Sequence, residues 1–189
     1  MFIHLNTHSV YSPMRGLLSL PDLVNLSCSY GMDTLALTDV NGMWGFIRFV
    51  RHCKDAGFSP IAGTNLITKT DEIVLLAENQ HGYENMCRSV SVVHENPNRS
   101  VAETLKKNCA GLFVLSHHES TLKKLIKFIP DTHLFIELRL GISESFAQNL
   151  AKKMKLEVVA TGDVYFRNPG DHNIHVTLRA IENNTTLEQ

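Results

Sequence analysis

Two hydrophobic periods take turns along this chain. The short apolar runs are Phe2-Ile3-His4-Leu5-Asn6, Thr34-Leu35-Ala36-Leu37-Thr38-Asp39, Leu112-Phe113-Val114-Leu115-Ser116, Leu134-Phe135-Ile136-Glu137-Leu138 and Leu156-Glu157-Val158-Val159-Ala160-Thr161. Each is short and bounded by polar residues, which predicts strands, buried and parallel where both faces are apolar. Between them apolar residues recur at helical spacing: Leu23, Val24, Ser27 and Tyr30; Phe46, Phe49, Val50 and Cys53; Leu122, Leu125, Ile126 and Ile129; Phe146, Leu150 and Met154; Ile174, Leu178 and Ile181. Ser19 followed by Pro21 and Asp22 predicts a helix start, and Gly31 and Gly57 predict helix ends. Helices are also expected over 82–93 and 100–108, the second opened by a Ser100–Glu103 capping box. Residues 59–67 and 73–77 read as strands, and the polar Thr68-Lys69-Thr70-Asp71 between them predicts a hairpin, a local break in the strand–helix alternation. About seven strands with helices between most of them predict one α/β domain with a largely parallel sheet, as a closed barrel or a doubly wound sheet.

Composition narrows the class. With 189 residues, 43% of them hydrophobic, the chain can bury a core without disulfide staples. No apolar run approaches the roughly 18 residues of a membrane helix, and MFIHLNTHS lacks a signal peptide's basic start and apolar core. A cytoplasmic location is the expectation. Cys28, Cys53, Cys87 and Cys109 are far apart and form no CxxC pair, so buried free thiols are expected rather than zinc ligands. A net charge of −1 gives no whole-surface argument for nucleic acid.

Candidate chemistry collects at the strand ends, where parallel α/β folds gather functional groups. These positions carry Asn6 and His8, Asp39, Asn65, His117 and His118, Arg139, and Asp163. His4, Asn6 and His8 also alternate along one face of the first expected strand. Ten histidines, several at such ends, point the same way. The pattern fits a ligand or metal pocket, or a set of solvated and internally satisfied side chains.

Longer motifs decide more. "HLNTHSVYSPMRG" resembles the HLHxHSxYSxxDG opening of the polymerase and histidinol phosphatase (PHP) domain, and "GMDTLALTDVNGMWGFIRFVRHCKDAGFSPIAGTNL" resembles the stretch that follows it. "IVLLAENQHGYENM", "GLFVLSHH" and "VATGDVYFRNPGDHNIHVTLRAI" continue the likeness in order over nearly the whole chain. Within that family the chain most resembles the N-terminal domain of bacterial C-family DNA polymerase III alpha subunits. The resemblance implies a distorted TIM-like (β/α)7 barrel over residues 1–182, with 183–189 as a polar tail or the start of a linker. In metal-binding members up to three ions at the C-terminal face support phosphoester hydrolysis; in others the domain is structural.

Mapped residue by residue, the resemblance implies a depleted site. Asn6 stands where the first His of HxH is expected, and His8 keeps the second. Arg15 replaces an Asp, Val40 a ligand His, Asn65 a bridging Glu and Tyr165 the final His, whereas Asp39 and Asp163 are kept and His118 falls at a Cys. Asn is a poor transition-metal ligand beside imidazole, and Val is none. Arg15 is expected to pair with Asp39 or Asp163 in place of a metal, or to bind phosphate with Asn6 and the histidines. His8, His118 and Asp163 are the candidates for one residual zinc or manganese. His4, His172 and His175 are expected to pack or cap. The implied role is that of a structural or binding domain in DNA replication, joined to the other domains of a polymerase chain and to replisome subunits. DNA would be met through that parent, and no membrane is involved. The alternatives are an active metal-dependent phosphoesterase or 3′–5′ exonuclease, and a stand-alone binding module.

Overall fold

The computed structural model describes residues 2–187. Six strands form one curled sheet in sequence order: β1 (Thr34–Leu37), β2 (Ser59–Ile67), β3 (Glu72–Ala77), β4 (Leu112–Ser116), β5 (Leu134–Leu138) and β6 (Val158–Ala160). β1–β2, β4–β5 and β5–β6 pair in parallel, whereas β3 is antiparallel to both its neighbours. The hairpin expected at 68–71 is therefore present, and it makes β3 the one reversed strand of the sheet.

Among the described residues there are seven α-helices: α1 (Leu20–Ser29), α2 (Phe46–Asp55), α3 (Gln80–Glu95), α4 (Val101–Leu105), α5 (Glu119–Leu125), α6 (Glu144–Met154) and α7 (His172–Asn183). Their starts follow the local chemistry. The Ser19 hydroxyl accepts from the Asp22 amide at the head of α1, and Ser100 and Glu103 form the reciprocal box at the head of α4. α4 stops at Leu105, short of the expected 108. Among the described residues, no helix is long and apolar enough to cross a membrane.

Outward-facing sheet residues such as Leu66, Ile73, Leu75 and Leu112 pack on Met86, Leu122, Leu125 and Leu150 of the helices, forming the main core. A second cluster joins α1, α2 and β1 through Leu23, Val24, Leu35, Leu37 and Phe49. The inner face holds a third, Ala36, Val74, Leu76 and Leu115, with Leu5, Ile61, Phe113, Phe135 and Val159 against it.

Two expectations need correction. Residues 2–6 do not form a named strand. The chain there still bonds on both sides: the His4 and Thr7 carbonyls accept from Ala36 and Thr38, and the Asn6 carbonyl accepts from Val164, whose own carbonyl accepts from the His8 amide. The ladder fails because a side chain intercepts it. The Thr7 amide donates to Thr38 Oγ1 at 2.7 Å, and that hydroxyl donates onward to Asn6 Oδ1 at 2.9 Å. The cysteines are free, but only Cys53 is buried; Cys87 and Cys109 are half-buried and Cys28 is exposed. The buried face of α1 is Leu20, Leu23, Val24 and Ser27, and Cys28 falls outside it.

Candidate functional site

Strand alternation puts a polar layer above the apolar inner face. Side chains two apart share a face, so β3 presents Glu72 with Val74 and Leu76, and β5 presents Glu137 with Phe135. Arg139, one residue beyond β5, continues that series. Because β3 runs backwards, its first residue lies with the last residues of its neighbours: Glu72 pairs in register with Ile67 at the end of β2. Glu72 thereby joins the C-terminal ends of the parallel strands.

The centre of this layer is an ion network. Arg139 Nη1 lies 3.0 Å from Glu72 Oε1 and 2.9 Å from Asp163 Oδ2, and Nη2 lies 3.4 Å from Glu72 Oε2. Asn65 Nδ2 donates to Glu72 Oε1 at 3.0 Å. Burial works to raise the pKa of Glu72, but the Arg139 charge and the Asn65 bond outweigh it and hold the carboxyl below the usual range. Asp163 behaves alike: burial opposes its charge, while the His8 bond and the Arg139 charge hold its pKa down. Burial disfavours the Arg139 cation too, yet Asp163 and Glu72 raise its pKa above the ordinary arginine value. Asp163 also adopts φ 47°, a left-handed conformation that Asp tolerates better than most residues.

A buried carboxylate supports this network from behind. Glu137, 2% exposed, accepts from Thr161 Oγ1 at 2.7 Å and from Asn6 Nδ2 at 3.1 Å, and its Oε2 lies 3.4 Å from His117 Nδ1. His117 adjoins His118, with ring centroids 4.0 Å apart. Among the described residues, Glu72, His117 and His118 are a group whose ligand atoms all lie within 4.8 Å of one another, a donor set able to hold a metal ion. Burial, then the neighbouring His117 charge, lowers the pKa of His118 and favours its neutral, ligating form.

The sequence profile of the PHP domain matches residues 4–165. The chain belongs to the PHP domain family. The DNA polymerase III alpha subunit of Pasteurella multocida is 30% identical over 221 residues, an alignment covering 99% of this chain and 19% of that protein. The chain thus spans about a fifth of the length of the curated relatives it matches. Among solved structures, an amidohydrolase from Chromobacterium violaceum superposes with TM-score 0.64 at 13% identity, over 89% of this chain and 88% of the other. A Bifidobacterium adolescentis protein assigned as a metal-dependent phosphoesterase gives 0.59 at 14%, covering 88% of each chain. At these identities the likeness is one of fold.

The residues expected at the family's ligand positions can now be located in the structure. Asn6 is fully buried and committed to Thr38, Glu137 and, at 3.3 Å, Asp163 Oδ1. His8 is equally buried; its Nε2 lies 3.2 Å from Asp163 Oδ1, and Nδ1 has no partner among the described residues. Tyr165 lies flat on the His8 ring, with centroids 4.1 Å and planes 4° apart. Burial, then the Asp163 and Glu72 charges, raises its pKa and keeps the phenol protonated. Asp39 faces the Ser9–Ser12 turn, accepting from the Ser9 amide at 2.7 Å and from the Ser9 and Ser12 hydroxyls at 2.8 and 2.7 Å. Buried Asn65 leaves Oδ1 unpartnered among the described residues.

Arg15 does not pair with Asp39 or Asp163. Its Nε and Nη2 donate to Glu182 Oε1 on α7 at 3.2 and 3.1 Å, because the 12–16 turn lies against the last helix, where His175 Nδ1 also bonds the Arg15 carbonyl at 2.8 Å. The guanidinium that bridges the carboxylates is Arg139. Of the expected residual ligands, His8 and Asp163 meet, whereas His118 stands with Glu72 and His117. Glu72 and Glu137 were absent from the sequence-based candidates. The signal for Glu72 was the hairpin, since reversing β3 moves its first residue to the site end. Glu137 had one too: a lone carboxylate inside an apolar strand needs buried partners.

Proposed function

We propose that this PHP domain is of the type found at the N-terminus of bacterial DNA polymerase III alpha subunits, and that it serves DNA replication as a bracing and binding module with a degenerate metal site. The observation that carries this reading is Arg139, whose guanidinium bridges Glu72 and Asp163. The positions matched to the family's ligands do not fit its set of up to three ions. Val40 offers no donor, Asn6 and Asp39 are spent on internal bonds, and a fixed cation stands among the carboxylates. At ~4 Å and an effective dielectric of ~20, each unit of like charge costs about 4 kcal/mol, so further cations are opposed. The donor set Glu72, His117 and His118 suits at most one ion, zinc or manganese, with water in the open position. When bound, such an ion would supply a Lewis acid at the mouth of the sheet.

In this reading the domain of residues 1–182 is a distorted (β/α)7 barrel, with 4–8 and 161–165 completing the wall through the bonds at Thr7 and Val164; 183–189 is a polar tail or the start of a linker, its last two residues lying outside the described ones. The partners are the other domains of a polymerase chain and replisome subunits, in the cytoplasm, with DNA reached through the parent. An active metal-dependent phosphoesterase or 3′–5′ exonuclease is the second reading, favoured by the same Glu72–His117–His118 group. Incubating the chain with bis(p-nitrophenyl) phosphate, or with single-stranded DNA, in manganese or zinc is expected to give no turnover above the metal-only background. Turnover that His118→Ala abolishes without unfolding the chain would establish the second reading instead.

A further inference from the structure

The Glu72 carboxylate belongs to two arrangements at once. On one side it is bonded to Arg139; on the other it completes the donor group with His117 and His118. We propose that Arg139 is a tethered competitor of a divalent metal, holding the Glu72 and Asp163 carboxylates so that the pocket binds divalent ions weakly, and that removing its charge turns the same pocket into a tight single-ion site. The inference rests on the reading above that at most one ion is accommodated.

Three features of the geometry support it. First, the guanidinium contacts both Glu72 oxygens, but unevenly: Oε1 receives Nη1 at 3.0 Å and Asn65 Nδ2 at 3.0 Å, whereas Oε2 receives only Nη2 at 3.4 Å. Oε2 is the oxygen held more loosely, and carboxylates have lone pairs for more than one partner. Secondly, the imidazole side is already arranged for ligation. Glu137 Oε2 lies at hydrogen-bonding distance from His117 Nδ1, the carboxylate–histidine pairing that orients a metal-binding ring and makes its other nitrogen more basic. The Glu137 carboxylate is itself fixed by Thr161 and Asn6. Thirdly, the charges balance only through Arg139. Without it, Glu72 and Asp163, each four-fifths enclosed, face one another with no fixed cation bridging them, which is the condition that draws in a divalent ion. Arginine suits the competing role because its planar fork reaches two carboxylates at once and never loses its proton.

Zinc and manganese titrations by calorimetry on the 189-residue chain, with Arg139→Gln, Arg139→Lys and Arg139→Gln/His118→Ala, test this. Arg139→Gln is expected to bind one equivalent of zinc at least tenfold more tightly than the wild-type chain. Arg139→Lys, which keeps the charge, should stay near wild type, and adding His118→Ala should erase the gain. An Arg139→Gln affinity equal to or below that of wild type overturns the proposal, as does the absence of measurable zinc binding in both proteins. If Arg139→Gln is unfolded without metal, one equivalent of zinc should restore its far-ultraviolet circular dichroism, because metal binding is linked to folding; failure to restore it also overturns the proposal. Stoichiometry answers the other question: two or more equivalents in the wild-type chain contradict the one-ion reading, whereas the affinity ratio alone decides the role of Arg139.

Discussion

The inner face of the sheet has two ends built from the same strands. At one end Leu5, Ile61, Leu76, Phe113, Leu115, Phe135 and Val159 surround a cavity of about 410 Å³. At the other, Asn65, Glu72, Arg139 and Asp163 bond to one another directly, and Glu137 joins them through Asn6. Moving two residues along β3 or β5 exchanges one environment for the other. The apolar end is held by non-directional burial and tolerates an imperfect fit. The polar end is held bond by bond, so each missing partner strands another buried group. The lesson is that stability at this domain's mouth is a matter of pairing, whereas at its floor it is a matter of volume.

Breaking the pairing should produce the largest effect. Glu137→Ala leaves Thr161 Oγ1 without its buried acceptor, Asn6 Nδ2 with only its 3.3 Å bond to Asp163, and His117 without its orienting carboxylate. A loss of about 3 kcal/mol or more is expected in urea unfolding; a loss under about 1 kcal/mol would show that pairing does not hold the mouth. Leu115→Ala comes next. Leu115 is 1% exposed, but it borders space that is already open, so the cost should sit near the low end for such truncations, about 2–3 kcal/mol.

Acid sharpens the contrast with a smaller effect. The folded pKa values of Glu72 and Asp163 are depressed, so the unfolded chain binds protons first as pH falls. Their contribution to stability is in full force well above the unfolded carboxylate values of about 4, and is lost as pH drops through the lower folded values. Urea midpoints measured from pH 7 to pH 3 should therefore fall, and Leu115→Ala should lower the whole curve without changing its shape. If Leu115→Ala alters the slope as much as Glu72→Gln does, the two ends are not separable.

Much of the framework was legible in the sequence, because local signals and burial agreed. The Ser19 and Ser100 caps, the 68–71 hairpin and the apolar strands all appear where their chemistry placed them. The site was read less completely, for reasons specific to its residues. Arg15 and Arg139 are equally plausible cations in a linear chain, and only the docking of the 12–16 turn on α7 assigns the first to Glu182. His117 and Arg139 stood among the strand-end polar groups, but their acidic partners did not: Glu72 opens a strand instead of ending one, and Glu137 hides within an apolar run. Residues 4–8 carried a strand pattern, and the hydroxyl of one threonine, distant in sequence, displaced the ladder.

The reversal of β3 makes the site sensitive to the parity of a turn. Strand side chains switch faces with every residue, so removing or adding a single residue between Ile67 and Glu72, with the rest of β3 following, would turn Glu72 toward the helices and Ile73 toward the mouth. No residue of the ion network would be altered in kind, yet Arg139 would lose one of its two carboxylates and the imidazole pair its acidic companion. In such a domain, insertions and deletions in the four-residue turn 68–71 act as changes to the site's charge.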